Sequence, residues 1–308
     1  MTWSDAVSAP IVVVTGANGF VGSHICSALL ERGTTVRAVV RRAGTAPTLS
    51  GLEEHVGEFY DRDFAVRVLA GASAAVTTVH PMGSDHEIQR RVGVDGTTVF
   101  AQAARATGVL SLVHVSTAAV YDRSPGVGDV DEGSPLVTEK ANAYAVTKRD
   151  TDDTLAKIDG ITRILLRPPA ILGAGKTSVW NFLRPADIRD DQNERHANPK
   201  QTFAWVHVSD LARFAADLAS GRVAASDDPE HGPVEGECTP VNVAAGAATF
   251  RDYFETVTRA LGVEPIWDAE PAWTGHILAH RARRWGWAPT IELAEALAEI
   301  DEGLRRGH

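Results

Sequence analysis

Apolar positions in this 308-residue chain switch between two periods from near its start to about residue 167. Continuous β-branched and aliphatic runs, the kind that fill a strand covered on both faces, occur at 11–15, 35–40, 74–79, 110–116 and 161–167. A shorter run near 55–59 reads as another strand. Segments of helical spacing lie between them: 20–32 closed by Gly33, 64–69, a long one over 86–107 closed by Gly108, and 141–158. Strands and helices in this alternation predict an α/β fold, a doubly wound parallel sheet of Rossmann type, over residues 1–167.

Beyond 167 the rhythm loosens. Residues 168–308 read mostly as a smaller C-terminal substrate-binding region with segments returning to the core, because ligands of such sheets bind outside the carboxyl ends of the strands. The stretch 184–200 is crowded with charge, Arg184, Arg189 and Arg195 alternating with acids, and reads as either a substrate lid or a solvated loop. Residues 221–237 read as a Gly/Pro/acid loop.

The first strand runs directly into Thr15-Gly-Ala-Asn-Gly-Phe-Val-Gly22. Gly16 permits a tight turn, Gly19 lets backbone approach a phosphate, and Gly22 lets helix and strand pack closely. The turn as a whole, with Asn18, Phe20 and Val21, is expected to hold a dinucleotide pyrophosphate at a helix N-terminus. An NAD site usually places an acid at the end of the second strand, on the ribose hydroxyls. This chain has Arg41 and Arg42 there, with Arg37 nearby. Guanidinium groups suit a 2′-phosphate through charge-assisted, bidentate hydrogen bonds, so NADP is favoured over NAD; a solvated basic turn is the competing reading.

Composition narrows the partners. A formal net charge of -10 argues against nucleic acid or an anionic membrane, and no run approaches the length of a membrane span. The two cysteines, Cys26 and Cys238, are far apart and form no metal-ligand spacing. Residues 1–10 carry no leader-like pattern, so a cytoplasmic protein is expected.

Tyr144 and Lys148 stand four apart within the helical segment 141–158, hence on one face. A phenol has a pKa of about 10, and a nearby ammonium favours the phenolate and lowers it. A surface pair is the plain alternative. The run Val113–Tyr121 ends its strand in Ser116 and Thr117, hydroxyls placed where a carbonyl compound would meet a nicotinamide, or else strand-end caps.

Together these motifs resemble those of the extended short-chain dehydrogenases/reductases, the epimerase/dehydratase-like branch. The resemblance runs through TGANGFVG (15–22), VDGT (94–97), VSTAAVY (115–121), YAVTK (144–148), LLRPPAILGAG (165–175), FAWVHVSDLA (203–212) and RWGWAPT (284–290). It implies Thr117, Tyr144 and Lys148 as catalytic residues: Tyr144 the general acid/base, Thr117 orienting the oxygen, Lys148 tuning Tyr144 and holding ribose. It further implies Glu58 and Phe59 at the adenine, Thr77, Thr78 and Val79 along the cofactor with Ser116, and Pro168 and Ile171 near the carboxamide. A homodimer formed by helices flanking the YxxxK segment is implied as well.

Three departures stand out. Gly93 occupies a position where the family often has Asn. The run after the fourth strand reads Thr77-Thr-Val-His80, so His80 and His86 could approach the nicotinamide or substrate, although isolated loop histidines are usually incidental. Ala170 stands where nucleotide-sugar epimerases carry a diphosphate-contacting Asn. Trp180, Trp205 and Phe203 could line a pocket for an apolar carbonyl compound or simply pack in the core. The expected function is therefore an NADP-dependent oxidoreductase interconverting a ketone and a secondary alcohol on a small organic molecule. The alternatives are a nucleotide-sugar epimerase/dehydratase with tightly bound NAD(P), and a non-catalytic NADP-sensing protein.

Overall fold

The computed structural model describes residues 9–306; the expectation of no leader at the start of the chain bears on residues 1–8, which lie outside them. Seven parallel strands form the main sheet: β1 (Ile11–Thr15), β2 (Thr35–Val40), β3 (Leu52–Val56), β4 (Ala74–Thr77), β5 (Ser111–Val115), β6 (Thr162–Arg167) and a late strand at Cys238–Asn242. Their spatial order is β3-β2-β1-β4-β5-β6 followed by Cys238–Asn242, the doubly wound arrangement the alternation predicts.

The helices α1 (Phe20–Glu31), α2 (Arg62–Leu69), α3 (His86–Gln89), α4 (Gly96–Ala106) and α5 (Ala143–Ala156) connect these strands. One face of the sheet packs its Val12, Val14, Val36 and Val113 against α1, and the other packs Val13, Ala75 and Leu112 against α2 and α4. With both faces buried, the central strands have no solvated side and read as unbroken apolar runs.

Three expectations are corrected. The third strand is Leu52–Val56, not 55–59. It is an edge strand paired on one side only and largely solvent-facing, so charged residues stand where a buried strand would be apolar. Phe59, read as part of it, lies just beyond and turns into the core. The long helix 86–107 is interrupted by a π-helical turn at Arg90–Asp95. The charged stretch 184–200 is not a loop throughout: it begins with α6 (Arg184–Asp190), where Pro185 and Ile188 are buried. Arg184 pairs with Glu194 at 3.5 Å, and Arg189 with Asp190 at 2.8 Å.

A second, three-stranded sheet lies beyond the main one, built from β7 (Ala170–Leu172), β9 (Thr202–His207) and a strand at Gly246–Thr249, with the two-residue β8 (His196–Ala197) between them in sequence. The helix α7 (Val208–Ala219) follows β9 and returns to pack against α1 in the main core. At the β9–α7 junction, His207 caps the helix and reaches Glu299 at 3.2 Å. Asp210, wholly buried, accepts from Thr290 N–H (3.0 Å) and hydroxyl (2.8 Å). The FAWVHVSDLA and RWGWAPT segments thus brace one another.

Gly16 sits at φ +67°, and Gly22 leaves no room for a side chain: a Cβ there would lie 2.2 Å from the Gly16 carbonyl oxygen. Backbone on both sides of this clash cannot swing aside as a side-chain tip does. Gly22→Ala is therefore expected to lower stability by about 1–3 kcal/mol, the usual range for overpacking, read as an earlier urea midpoint. An unchanged midpoint would mean that this turn adapts freely.

Candidate active site

A cavity of about 1030 Å³ opens at the carboxyl ends of the main-sheet strands and runs onto the second sheet. Its floor at one end is the β1–α1 turn. The Gly19 N–H donates to the Gly16 carbonyl at 2.9 Å, which tightens the turn. Gly19 caps α1 with no side-chain bond, so the first-turn N–H groups of the helix keep their capacity for an anion. Gly16, Asn18, Gly19, Phe20, Val21 and Gly22 all line the cavity.

The loop after β2 is fixed from the neighbouring strand. The Glu54 carboxylate accepts from the N–H groups of Gly44 (2.8 Å) and Ala46 (2.9 Å), which hold its pKa below the usual carboxylate range. Thr45 bonds back to the Arg42 carbonyl at 2.7 Å. Arg41 and Arg42 line the cavity from this loop, both exposed and without an ion-pair partner among the described residues. Arg37 faces the opposite way, donating to the carbonyls of Val68 (2.8 Å) and Ala70 (2.7 Å).

The next wall holds Glu58, Phe59, Thr78, Val79 and Ser116. Thr77 does not reach it. Strand alternation turns Thr77 inward, where its hydroxyl meets His114 Nδ1 at 2.8 Å, whereas Thr78 on the opposite side bonds the Thr15 carbonyl at 2.8 Å. Pro168 is likewise buried at a strand end, its carbonyl accepting from Ala118 N–H at 2.8 Å; Ile171 lines the cavity and Pro168 does not.

Thr117, Tyr144 and Lys148 come together at the middle of the cavity. Asn142 caps α5 by accepting from Ala145 N–H at 2.9 Å, starting the helix one residue before Tyr144. Thr117, two residues beyond β5, lines the cavity with Tyr144, and its hydroxyl accepts from Ala119 N–H at 3.1 Å. Lys148 is buried and donates from Nζ to the Val115 carbonyl at 2.7 Å. Burial pushes its amine down to about 8, against the pull of Asp152. The expected lowering of Tyr144 by this amine is corrected here: burial raises the phenol above its ordinary value, and the Thr117 hydroxyl only partly offsets that.

His80 also lines the cavity, its ring edge-on to Tyr144 with centroids 5.1 Å apart. Its Nε2 meets Gln89 Oε1 at 3.2 Å, and burial lowers its pKa to about 3, so the ring is neutral. A Cβ at Gly93, on the π-helical turn, would lie 2.9 Å from His80 Nδ1. The two family departures are thus one spatial exchange, in which the side chain missing at 93 makes room for the imidazole at 80. His86 is exposed and away from the cavity.

At the far end stand Trp180 and Phe203, ring centroids 5.0 Å apart, and Phe250 at 5.5 Å from Phe203. Trp205 is 4 % exposed inside the cluster beneath the second sheet and does not line the cavity. Arg184, Arg189 and Arg195 do not line it either. Residues that sequence reasoning did not single out include Met82, Arg91, Arg123, Gln201, Thr202 and Phe250. Arg123, two places after the VSTAAVY run, Thr202, just before FAWVHVSDLA, and Arg91, three places before VDGT, had a positional signal.

A doubly wound sheet with a glycine turn at its first βα junction and a hydroxyl–Tyr–Lys set at its carboxyl edge defines the extended short-chain dehydrogenase/reductase class. The chain belongs to the NAD dependent epimerase/dehydratase family, whose model matches residues 12–231.

Over 174 residues it is 32% identical to 4-hydroxy-2-methyl-3-oxo-4-farnesyl-3,4-dihydroquinoline-1-oxide ketoreductase of Stigmatella aurantiaca, covering 54% of this chain and 51% of that one. It is 31% identical over 179 residues to ceramide reductase of Caulobacter vibrioides, covering 57% and 51%. The matched stretch thus spans about half the length of these curated relatives. Among solved structures, UDP-glucose 4-epimerase of Thermotoga maritima, crystallised with UDP-glucose, superposes with a TM-score of 0.74 at 17% identity, covering 96% of this chain and 99% of that one. That likeness is one of fold. Among the described residues no helix is long and apolar enough to cross a membrane.

Proposed function

We propose that this protein is an NADP-dependent carbonyl reductase that interconverts a ketone and a secondary alcohol on a small organic molecule. The observation that carries the proposal is the phenol of Tyr144, held protonated by burial, in one cavity with Thr117, Lys148 and the Arg41–Arg42 loop. The residues fit a phosphorylated dinucleotide. The turn at Gly22 admits no Cβ, the α1 N-terminus has unspent N–H groups, and two unpaired guanidinium groups stand where a ribose phosphate would lie. When bound, the nicotinamide supplies hydride to the carbonyl carbon.

The chain's own residues do the rest. Thr117 orients the carbonyl oxygen toward Tyr144, whose O–H gives it a proton. A phenol kept protonated favours the reducing direction, because oxidation of an alcohol needs the phenolate as base. Lys148 carries positive charge below about pH 8 and lies one helical turn beyond Tyr144 on the same face, where it would hold the ribose. The ketoreductase and ceramide reductase names of the relatives support a reductase. Ala170, in place of a diphosphate-binding Asn, supports a substrate other than a nucleotide sugar.

A screen of NADPH oxidation over aromatic ketones and aldehydes tests this reading. Stoichiometric NADPH loss with alcohol formation is the expected result, whereas interconversion of a nucleotide sugar without net cofactor use would replace the reading with an epimerase. Arg41→Ala combined with Arg42→Ala is expected to weaken NADPH binding by about tenfold or more, as lost charge-assisted bonds do, and to leave NADH binding unchanged. Equal affinity for both cofactors in the parent protein would overturn the NADP assignment.

A further inference from the structure

Arg123 is the one cavity-lining cation that is neither at the cofactor loop, nor on the π-helical turn, nor part of the Tyr–Lys helix. It is half-buried and has no carboxylate or hydrogen-bond partner among the described residues. Its guanidinium instead lies over the Trp273 ring, 5.5 Å from the centroid. Trp273 is itself fixed: it is buried, its indole N–H donates to the Gly128 carbonyl at 2.9 Å, and its own carbonyl accepts from Thr202 N–H at 3.1 Å. Thr202 and Phe203 line the same cavity, so this stacking places Arg123 beside the aromatic end rather than the nucleotide end.

An aromatic face steadies a guanidinium but leaves its N–H fork unspent, and a desolvated cation without a counter-charge is costly. Other arginines of the chain show the contrast. Arg184 answers Glu194 and Arg149 answers Glu139 and Asp150, whereas Arg123 answers nothing. Removal from water also lowers its own pKa, with no acid offsetting the effect. A single fork of this kind matches a monoanion by two parallel N–H···O bonds.

We infer that Arg123 is a substrate-binding residue that receives a carboxylate, so that the carbonyl compound taken by this site is an organic acid with an apolar or aromatic body lying against Trp180, Phe203 and Phe250. The inference deepens the reductase reading and rests on it for the carbonyl, but the anion site can be tested by itself.

Calorimetric titration of the protein with saturating NADP present would compare hydrocinnamate with its neutral amide. The acid is expected to bind about tenfold tighter or more, the scale of a charge-assisted hydrogen bond. Arg123→Gln should erase that preference without weakening the amide, and Arg123→Lys should restore part of it. Far-ultraviolet dichroism would verify that each variant is folded. Equal binding of acid and amide by the parent protein, no binding of either, or a preference that survives Arg123→Gln would each overturn the inference. A parallel assay would follow NADPH oxidation with benzoylacetate and its ethyl ester. If hydrocinnamate binds through Arg123 while neither carbonyl compound is reduced, the anion site stands and the reductase reading falls. If the ester is reduced and the acid preference is missing, the reverse holds.

Discussion

Tyr144→Phe is expected to lower carbonyl-reducing turnover by roughly 100- to 10,000-fold, the range lost when a positioned general acid is removed. The substitution deletes one oxygen. The ring keeps its edge-on contact with His80, 5.1 Å between centroids, and α5 keeps its Asn142 cap. NADPH affinity and the unfolding midpoint should therefore stay close to those of the parent. That separation is the diagnostic feature, since a variant that lost activity through misfolding would lose both. If the variant reduces every accepted carbonyl compound at the parent rate, Tyr144 is not the acid and the proposed chemistry must be reassigned.

The largest effect on stability is expected at Asp152, which no functional motif singles out. It is buried on α5, and its carboxylate accepts from Arg167 Nε at 3.0 Å. Arg167 is also buried, donates to the Tyr121 hydroxyl at 3.0 Å and lies over the Tyr121 ring. Tyr121 in turn donates to Asn242 at 2.7 Å, which ties α5, β6, the segment after β5 and the last parallel strand into one polar network. Asp152→Ala leaves a guanidinium desolvated with no counter-charge, a change that costs about 3–5 kcal/mol. The double variant Asp152→Leu with Arg167→Met should be markedly less destabilised, because no lone charge stays buried. Urea unfolding of the two single variants and the double variant decides the matter. A loss for Asp152→Ala of only about 1 kcal/mol would class the pair with weak surface bridges.

The same carboxylate bears on the site. Asp152 raises the Lys148 amine against burial, so its removal should drop that amine further below about 8. The ammonium is the low-pH form. Any activity that needs it would then fade at a lower pH in Asp152→Ala than in the parent, which a pH–rate profile would show as a displaced alkaline limb.

Much of this molecule is written in local pattern. Five of the six strands expected before residue 168 fall where apolar runs place them, because a strand covered on both faces admits few polar residues. The sixth, Leu52–Val56, escaped the pattern because an edge strand faces solvent and carries charge. The helix α6 escaped it because only Pro185 and Ile188 are buried within a charged segment, too few to make a stripe. The glycine turn, Arg41, Arg42, Thr117, Tyr144 and Lys148 were legible because each stands at a fixed offset from a strand end or along a helix, where chemistry and backbone geometry share one period.

Tertiary structure decided the rest. Which of two adjacent threonines faces the cavity turned on strand alternation across β4 and β5: Thr77 meets His114 and Thr78 meets the turn. Whether Arg37 joins Arg41 and Arg42 turned on the carbonyls of α2 that it caps. His80 gained its place beside Tyr144 only because Gly93, on a distant helical turn, leaves the space empty. Arg123 is a candidate ligand only because Trp273, 150 positions along the chain, lies beneath it and no acid among the described residues pairs with it. The sequence by itself determined the fold class, the glycine turn and the helix that carries Tyr144 and Lys148, since these depend on neighbours within a turn or a strand. The walls that face the substrate are assembled from residues far apart in the chain, and their empty space and unpaired charge exist only after folding has brought them together.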